Sequence, residues 1–487
     1  MLGRSRSTKN GENGKLPFRA SANRPGEVFL SARLFYLLRW FLELHRPAAY
    51  GSDAEIAAEV ERNYRWNFTV NLLDVTTFWF GFSFISATTV VPLYLSNLSD
   101  SPLPIGIAAV IAQASWFLPQ LLTSNLVERL PRKKPVVVRV GFLLERFPIW
   151  LTVVSALVAV RSPMLAVVLF LVGYGWRGLG AGVVATSWQD LIARAFPTER
   201  RGRFLGISLF SGTLMGTVAA VLSGRILDAF PFSTNFAYNF LLAAVFMTLS
   251  WFFISRTREP AAAPSPPRRS NRQYMAELPR ILDEDGNFRQ FLVARSLLAF
   301  GALGTGFVTV SAVDRWAIPN SMVGAFTAAQ LIGQAIATPG LGLLADRFGH
   351  KLSLSLGATA AALAFALAWL APSPGWYLPV FALLGAMNGA TIVSGILIIM
   401  EFGRPEKRPT YTGLANTVVG VVSVAAPLVG AALATRSYGL VFGLGAAITL
   451  AGLLWLVFGV RDPRHAARAV AEAGDPRAAS PGGSGNG

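Results

Sequence analysis

Four stretches of this sequence surround ionisable side chains with apolar residues. "LVGYGWRGLGAG" holds Arg177, "NLLDVTTFWF" holds Asp74, "RVGFLLERFPIW" holds the adjacent Glu145 and Arg146, and "QFLVARSLLAF" holds Arg295. An ionised side chain at the centre of a bilayer costs at least about 2.5–3.5 kcal/mol on insertion scales, so each normally meets a partner, a ligand or a wet cavity. Asp74 could carry a proton, balance Arg177 or belong to a gate, and Glu145 is the second carboxylate that could carry a proton. Arg177 could bind an anionic group or complete a structural ion pair. Glu145 and Arg146, side by side, read first as a local ion pair. Arg295 lies near enough to the end of its apolar run to snorkel.

Glycines at 173, 175, 178, 180 and 182 remove bulk on either side of Arg177. They could open a cavity wall or allow close helix packing. Trp176, Asn71, Gln113, Gln334 and Asn388 are the polar or aromatic residues on apolar runs that could border a cavity with Arg177 and Asp74. For each of them, packing or an interhelical hydrogen bond is the competing role.

Other chemistry is poorly supported. There is no cysteine, and the three histidines (His45, His350, His465) fall outside the apolar runs without clustering, so no metal site is expected. No phosphate-binding G-x-x-x-x-G-K-[ST] loop is present, and the G-x-G-x-x-G at Gly173 to Gly178 has no strand before it. No cofactor is expected, nor a convergent catalytic set of the kind an enzyme needs.

The elements that hold these residues follow from composition. The chain has 487 residues, 53% hydrophobic and 14% charged, where soluble domains carry about 25% charged residues. About twelve runs reach the roughly 20 apolar residues that span a bilayer. The first six lie near 68–95, 105–126, 136–160, 165–192, 204–227 and 235–254; the second six lie near 291–313, 322–345, 352–371, 378–400, 411–434 and 440–460. The expected fold is therefore all-α and membrane-embedded, with twelve transmembrane helices in two six-helix bundles. Residues 67–255 form the first bundle, 256–290 a Pro-rich charged linker and 291–460 the second bundle. Residues 1–66 are expected to be a cytoplasmic extension containing an interfacial amphipathic helix, and 461–487 a flexible cytoplasmic tail. Lys and Arg concentrate in alternate loops, which orients the chain with both termini in the cytoplasm of the cell membrane. The same asymmetry assigns the net charge of +17 to anionic lipid rather than nucleic acid.

One charged hinge occurs twice. "SNLVERLPRKK" closes the second run and "GLLADRFGHK" the eighth. An acid at a helix C-terminus opposes the helix dipole and needs compensation. Glu128 and Asp346 are expected to face the starts of the eleventh and fifth runs, near Gly413 and Gly206. Arg129 is expected to pair with Asp190 and Arg347 with Glu401, together forming a cytoplasmic gate.

These hinges resemble the inner signature of the major facilitator superfamily, roughly G-x-L-A-D-R-x-G-x-K. Gly342, Leu344, Ala345, Asp346, Arg347, Gly349 and Lys351 match it. The first copy departs at Ser124, Glu128 and Pro131 but keeps Leu126, Arg129, Arg132 and Lys133. The resemblance implies a monomeric secondary transporter that moves a small molecule by alternating access, with a proton as candidate coupling ion. It also implies that the first, fourth, seventh and tenth spans line a central cavity, which makes Arg177 substrate-facing. A non-transporting receptor or assembly factor of the same fold is the alternative, with "SDAEIAAEVER" as a docking segment.

Overall fold

A computed structural model describes residues 52–128, 130, 132–260, 281–395, 397–402 and 408–463. The expected interfacial helix and C-terminal tail, most of the central linker, and Arg129 of the first hinge lie outside these residues. The described chain is helical throughout. Ten of its helical segments are long and apolar enough to cross a membrane.

The first helix, α1 (Asp53–Ser83), begins well before the expected residue 68. Ser52 starts it: its Oγ accepts from the Glu55 N–H, and the Glu55 carboxylate accepts from the Ser52 N–H at 2.7 Å, closing a capping box. These bonds hold the Glu55 carboxyl below its ordinary pKa. "SDAEIAAEVER" thus forms the first turns of a helix continuous with the first expected span. The helix stops at Ser83, the chain unwinds through 84–89, and α2 (Val90–Ser96) resumes. The unwound piece is held by side chains from elsewhere: Thr88 Oγ1 donates to Gln330 Oε1 at 2.6 Å, and the Thr89 and Thr327 hydroxyls meet at 2.5 Å.

Next come α3 (Leu103–Glu128), two π-helical turns (Val136–Val140 and Phe142–Arg146) and α4 (Ile149–Val158). Pro148 offers no N–H, and the Phe147 N–H reaches back five residues to the Phe142 carbonyl at 2.8 Å. Helices α5 (Pro163–Ala195), α6 (Thr198–Ala229) and α7 (Thr234–Ile254) complete the first half. The second half opens with α8 (Gly286–Gly301), a 3₁₀ stretch and α9 (Val308–Trp316). It continues through α10 (Asn320–Phe348), α11 (His350–Leu370), α12 (Tyr377–Ser394), α13 (Leu397–Phe402), α14 (Arg408–Ala434) and α15 (Tyr438–Leu454).

The packing pattern repeats. In the first half α1 lies against α6 and α7, α3 against α5, and α4 against both α5 and α7. In the second, α8 lies against α14 and α15, α10 against α12, and α11 against both α12 and α15. Between the halves, α6 meets α10 and α3 meets α14. Glycines allow the closest approaches. A Cβ on Gly324 would lie 2.5 Å from the Ala220 carbonyl and 2.7 Å from Gly224 Cα, and one on Gly106 would lie 2.7 Å from Ala431 Cβ.

Those contacts sit at the end of the bundle away from the basic loops. Toward the basic end α6 and α10 diverge: a Cβ added at Gly202, Gly206, Gly340 or Gly342 would meet nothing within 4 Å. Between 202 and 210 only Phe204 and Ser208 are buried, and between 335 and 348 only Leu341 and Ala345. The two halves are joined at one end, and these two helices splay at the other.

Candidate functional site

A cavity of about 270 Å³ lies within the first half. Asp74, Val75, Phe78 and Trp79 reach it from α1 at the i, i+1, i+4, i+5 spacing of one helix face. The π turn before α4 contributes Glu145 and Arg146, α3 contributes Trp116, and α5 contributes Trp188. Asp74 is 4% exposed and accepts a hydrogen bond from Ser250 Oγ at 2.6 Å. Glu145 and Arg146 form the expected ion pair, both buried, with the Arg146 guanidinium 5.2 Å from the centre of the Phe78 ring. The structure adds that this pair shares a cavity with Asp74. Sequence spacing carries no information on that meeting, because the register between α1 and the π turn is set by tertiary packing.

A second cavity, about 170 Å³, lies mainly in the other half. Arg295, Leu298, Ala299 and Ala302 line it from the seventh expected span, with Asn388 and Thr391 from α12 and Gln113 from α3. Gln113 and Trp116 lie three residues apart, so one face of α3 contributes to both cavities.

The other expected site residues are placed differently. Arg177 is 7% exposed, its guanidinium 5.1 Å from the Phe82 ring centre and 5.5 Å from that of Tyr174, and it lines neither cavity. Its glycine neighbours serve close packing: a Cβ on Gly178 would lie 2.9 Å from Ser115 Cβ, and one on Gly182 2.9 Å from Pro119 Cγ. Trp176 is exposed on the outside of α5, against the Phe147 edge. Asn71 is fully buried, donating to the Asn67 carbonyl at 2.8 Å and accepting from Thr257 at 3.3 Å. Gln334 is buried in α10 and lines neither cavity.

At the basic end several described charges pair within their own half. Asp190 meets Lys133 at 3.5 Å and Arg194 at 3.2 Å. Glu259 accepts from the backbone N–H groups of Lys133 and Lys134 at 2.8 and 2.9 Å. Burial pushes the Glu259 carboxyl pKa up and the Lys133 ammonium pKa down. In the second half Glu401 lies 3.8 Å from His350 Nε2, whose Nδ1 meets Ser394 Oγ at 3.1 Å. The expected Arg347–Glu401 pair is therefore not formed in this arrangement: Arg347 is exposed, over the Phe348 ring. Asp346 is also exposed, and a Cβ added at Gly206 would meet no described atom within 4 Å. The Glu128 side chain, like Arg129, lies outside the described residues. Gly349 makes the hinge's turn with φ +96, a conformation that favours glycine.

The comparisons with known proteins agree with this geometry. The profile of the Major Facilitator Superfamily matches residues 73–318 and 310–483. No curated protein matches the sequence. Among solved structures, a variant of the nucleoside transporter NupG superposes with a TM-score of 0.63 at 14% identity, covering 80% of this chain and 99% of its own. A POT family transporter in complex with 5-aminolevulinic acid gives 0.60 at 14% identity, covering 81% of this chain and 96% of its own. A bacterial homologue of the iron transporter ferroportin, in an inward-facing state, gives 0.59 at 16% identity, covering 84% and 99%. At such identities the superpositions establish a shared fold, and the profile, spanning both halves, establishes descent: the chain belongs to the Major Facilitator Superfamily.

Proposed function

We propose that this transporter couples movement of a small solute to a proton carried by Asp74, by alternating access. The observation behind the coupling is the first cavity, where Asp74 is held by a neutral hydroxyl while Glu145 is held by a cation. Protonating Asp74 strands no positive charge; protonating Glu145 would leave Arg146 buried and unpaired, which is costly. Asp74 is thus the better proton carrier of the two, and Glu145 with Arg146 sets the field around it.

The repeated packing pairs support two six-helix bundles spanning 67–255 and 291–460, joined by the linker 256–290, with α1–α2 and α3 as the first and second of twelve spans. The basic loops support a cytoplasmic location for the splayed end and both termini, in the cell membrane. The state described is then inward-open, and the gate would form only when that end closes: Glu128 and Asp346 would reach across to the starts of the eleventh and fifth spans, while Arg129 and Arg347 would pair with Asp190 and Glu401 inside their own halves. In this reading Arg177 stiffens α5 against α1 rather than touching the solute, and a monomer suffices for transport.

The test uses vesicles reconstituted with the protein and loaded with a pH-sensitive dye, to which members of a metabolite panel are added. A solute that moves protons through the wild type and at least tenfold more slowly through Asp74→Asn supports the reading. Equal proton movement in Asp74→Asn removes Asp74 from coupling.

A further inference from the structure

We infer that the second cavity is a binding subsite for the anionic group of an organic solute, and that Arg295 is the residue that recognises it. The inference rests on the transport reading above and names the chemistry of its substrate.

Arg295 is a cation with no described carboxylate beside it in this cavity. Arg295 is half-buried, its Nε is inaccessible to solvent, and no hydrogen bond, ion pair or ring contact engages its side chain among the described residues. No Asp or Glu lines the cavity. The other buried intramembrane arginines are each accommodated: Arg146 by Glu145 and the Phe78 ring, Arg177 by two rings. A guanidinium left bare at such depth is costly to insert, and a site that retains one normally has something to place against it.

The surroundings complete a recognition site rather than a void. Asn388, Thr391, Ser423 and Thr449 bring neutral polar groups to the same cavity, with Gln113 entering from the opposite half. Thr449 is almost fully buried with its Oγ1 unpartnered. A planar fork of guanidinium donors with hydroxyl and amide donors beside it matches a carboxylate or another oxyanion, while the guanidinium charge repels a cation. The volume, about 170 Å³, is close to the roughly 150 Å³ of an engineered cavity that admits benzene. A carboxylate on a single ring or a short aliphatic chain fits that scale. Because Gln113 shares its helix face with Trp116 of the first cavity, an apolar body extending from the anionic group would run along α3 toward the aromatic wall.

The test measures thermal stability of the purified full-length protein in neutral detergent with phosphatidylcholine, titrated with benzoate, benzylammonium or benzyl alcohol. Benzoate is expected to raise the melting temperature saturably and the other two to leave it unchanged. Arg295→Gln should weaken benzoate at least tenfold, Arg295→Lys should recover part of that loss, and Asn388→Leu should weaken it severalfold. If Arg295→Gln does not fold, Arg295→Lys and Asn388→Leu carry the test. Asp74→Asn should still bind benzoate, so a failure of proton coupling and a failure of this subsite are distinguishable. No response of the wild type to benzoate, equal responses of wild type and Arg295→Gln, or a response that follows added anionic lipid in place of benzoate would each overturn the proposal.

Discussion

The two ends of this bundle are held by different physics. The end away from the basic loops is closed by backbone contact through glycine and by neutral hydrogen bonds that cross between the halves. Gly324 lies on Gly224, Gly106 on Ala431, Thr88 bonds Gln330 and Thr89 bonds Thr327. The basic end has charges in abundance, and several of its ion pairs between described residues lie inside one half: Lys133 and Arg194 with Asp190, His350 with Glu401. The comparison teaches that ionic groups need not be what joins two domains. Charges satisfied within a half leave that half free to move as a unit, whereas short-range glycine contacts persist only while the two helices touch.

The largest expected effect comes from separating the joined end. A side chain at Gly324 has no room, and overpacking of this kind costs about 1–3 kcal/mol, or roughly a five- to 150-fold change in population. Gly324→Leu should raise maleimide labelling of Asn320→Cys from the far side by that factor. The absence of native cysteine leaves no background. Unchanged labelling would show that the glycine contact does not hold this end shut.

How much of this could be read in the sequence depends on the range of the interaction. Apolar run length located the spans to within a few residues in most cases, since hydrocarbon thickness is a local constraint. The break at 84–89 was not legible, because Thr88 and Thr89 unwind the chain for partners in α9 and α10, more than 200 residues away. Nor was the convergence of Asp74, Ser250, Glu145 and Arg146, which depends on how three helices are rotated. Arg177 drew attention through its glycines, but these bring α5 close to α3 and leave the guanidinium to aromatic rings. Arg295 was visible in the sequence as a cation on an apolar run, but which neutral polar groups of α3, α12, α14 and α15 share its cavity depends on helix packing.

A smaller effect sharpens the same comparison at one hydrogen bond. Thr327→Val keeps shape and removes the partner of the fully buried Thr89 hydroxyl. One such bond is worth about 1 kcal/mol, so far-side labelling of Asn320→Cys should rise roughly fivefold. The double variant Thr89→Val with Thr327→Val should recover much of that change, because no hydroxyl is then left unpaired. Additive effects of the two substitutions would indicate that the bond does not couple the halves.

The smallest effect belongs to the basic end and appears as a pH dependence. Burial raises the Glu259 pKa above its ordinary 4.5, against the opposing pull of the Lys133 and Lys134 N–H groups and Arg194. A raised carboxyl pKa means that the folded chain keeps the proton to higher pH than the unfolded chain. Its contribution to stability is greatest below 4.5 and is lost as pH rises through the folded value. Lys133, whose pKa burial lowers, acts in the opposite sense, and comparison of the wild type with Glu259→Gln separates the two. Glu259→Gln should therefore show a flatter melting temperature than the wild type from pH 4.5 upward on the acid side. The far-end contacts have no titrating group and should give variants whose pH profile parallels the wild type. Parallel profiles for wild type and Glu259→Gln would mean that this carboxylate is solvated when the protein is folded, and that the basic end is looser than its ion pairs indicate.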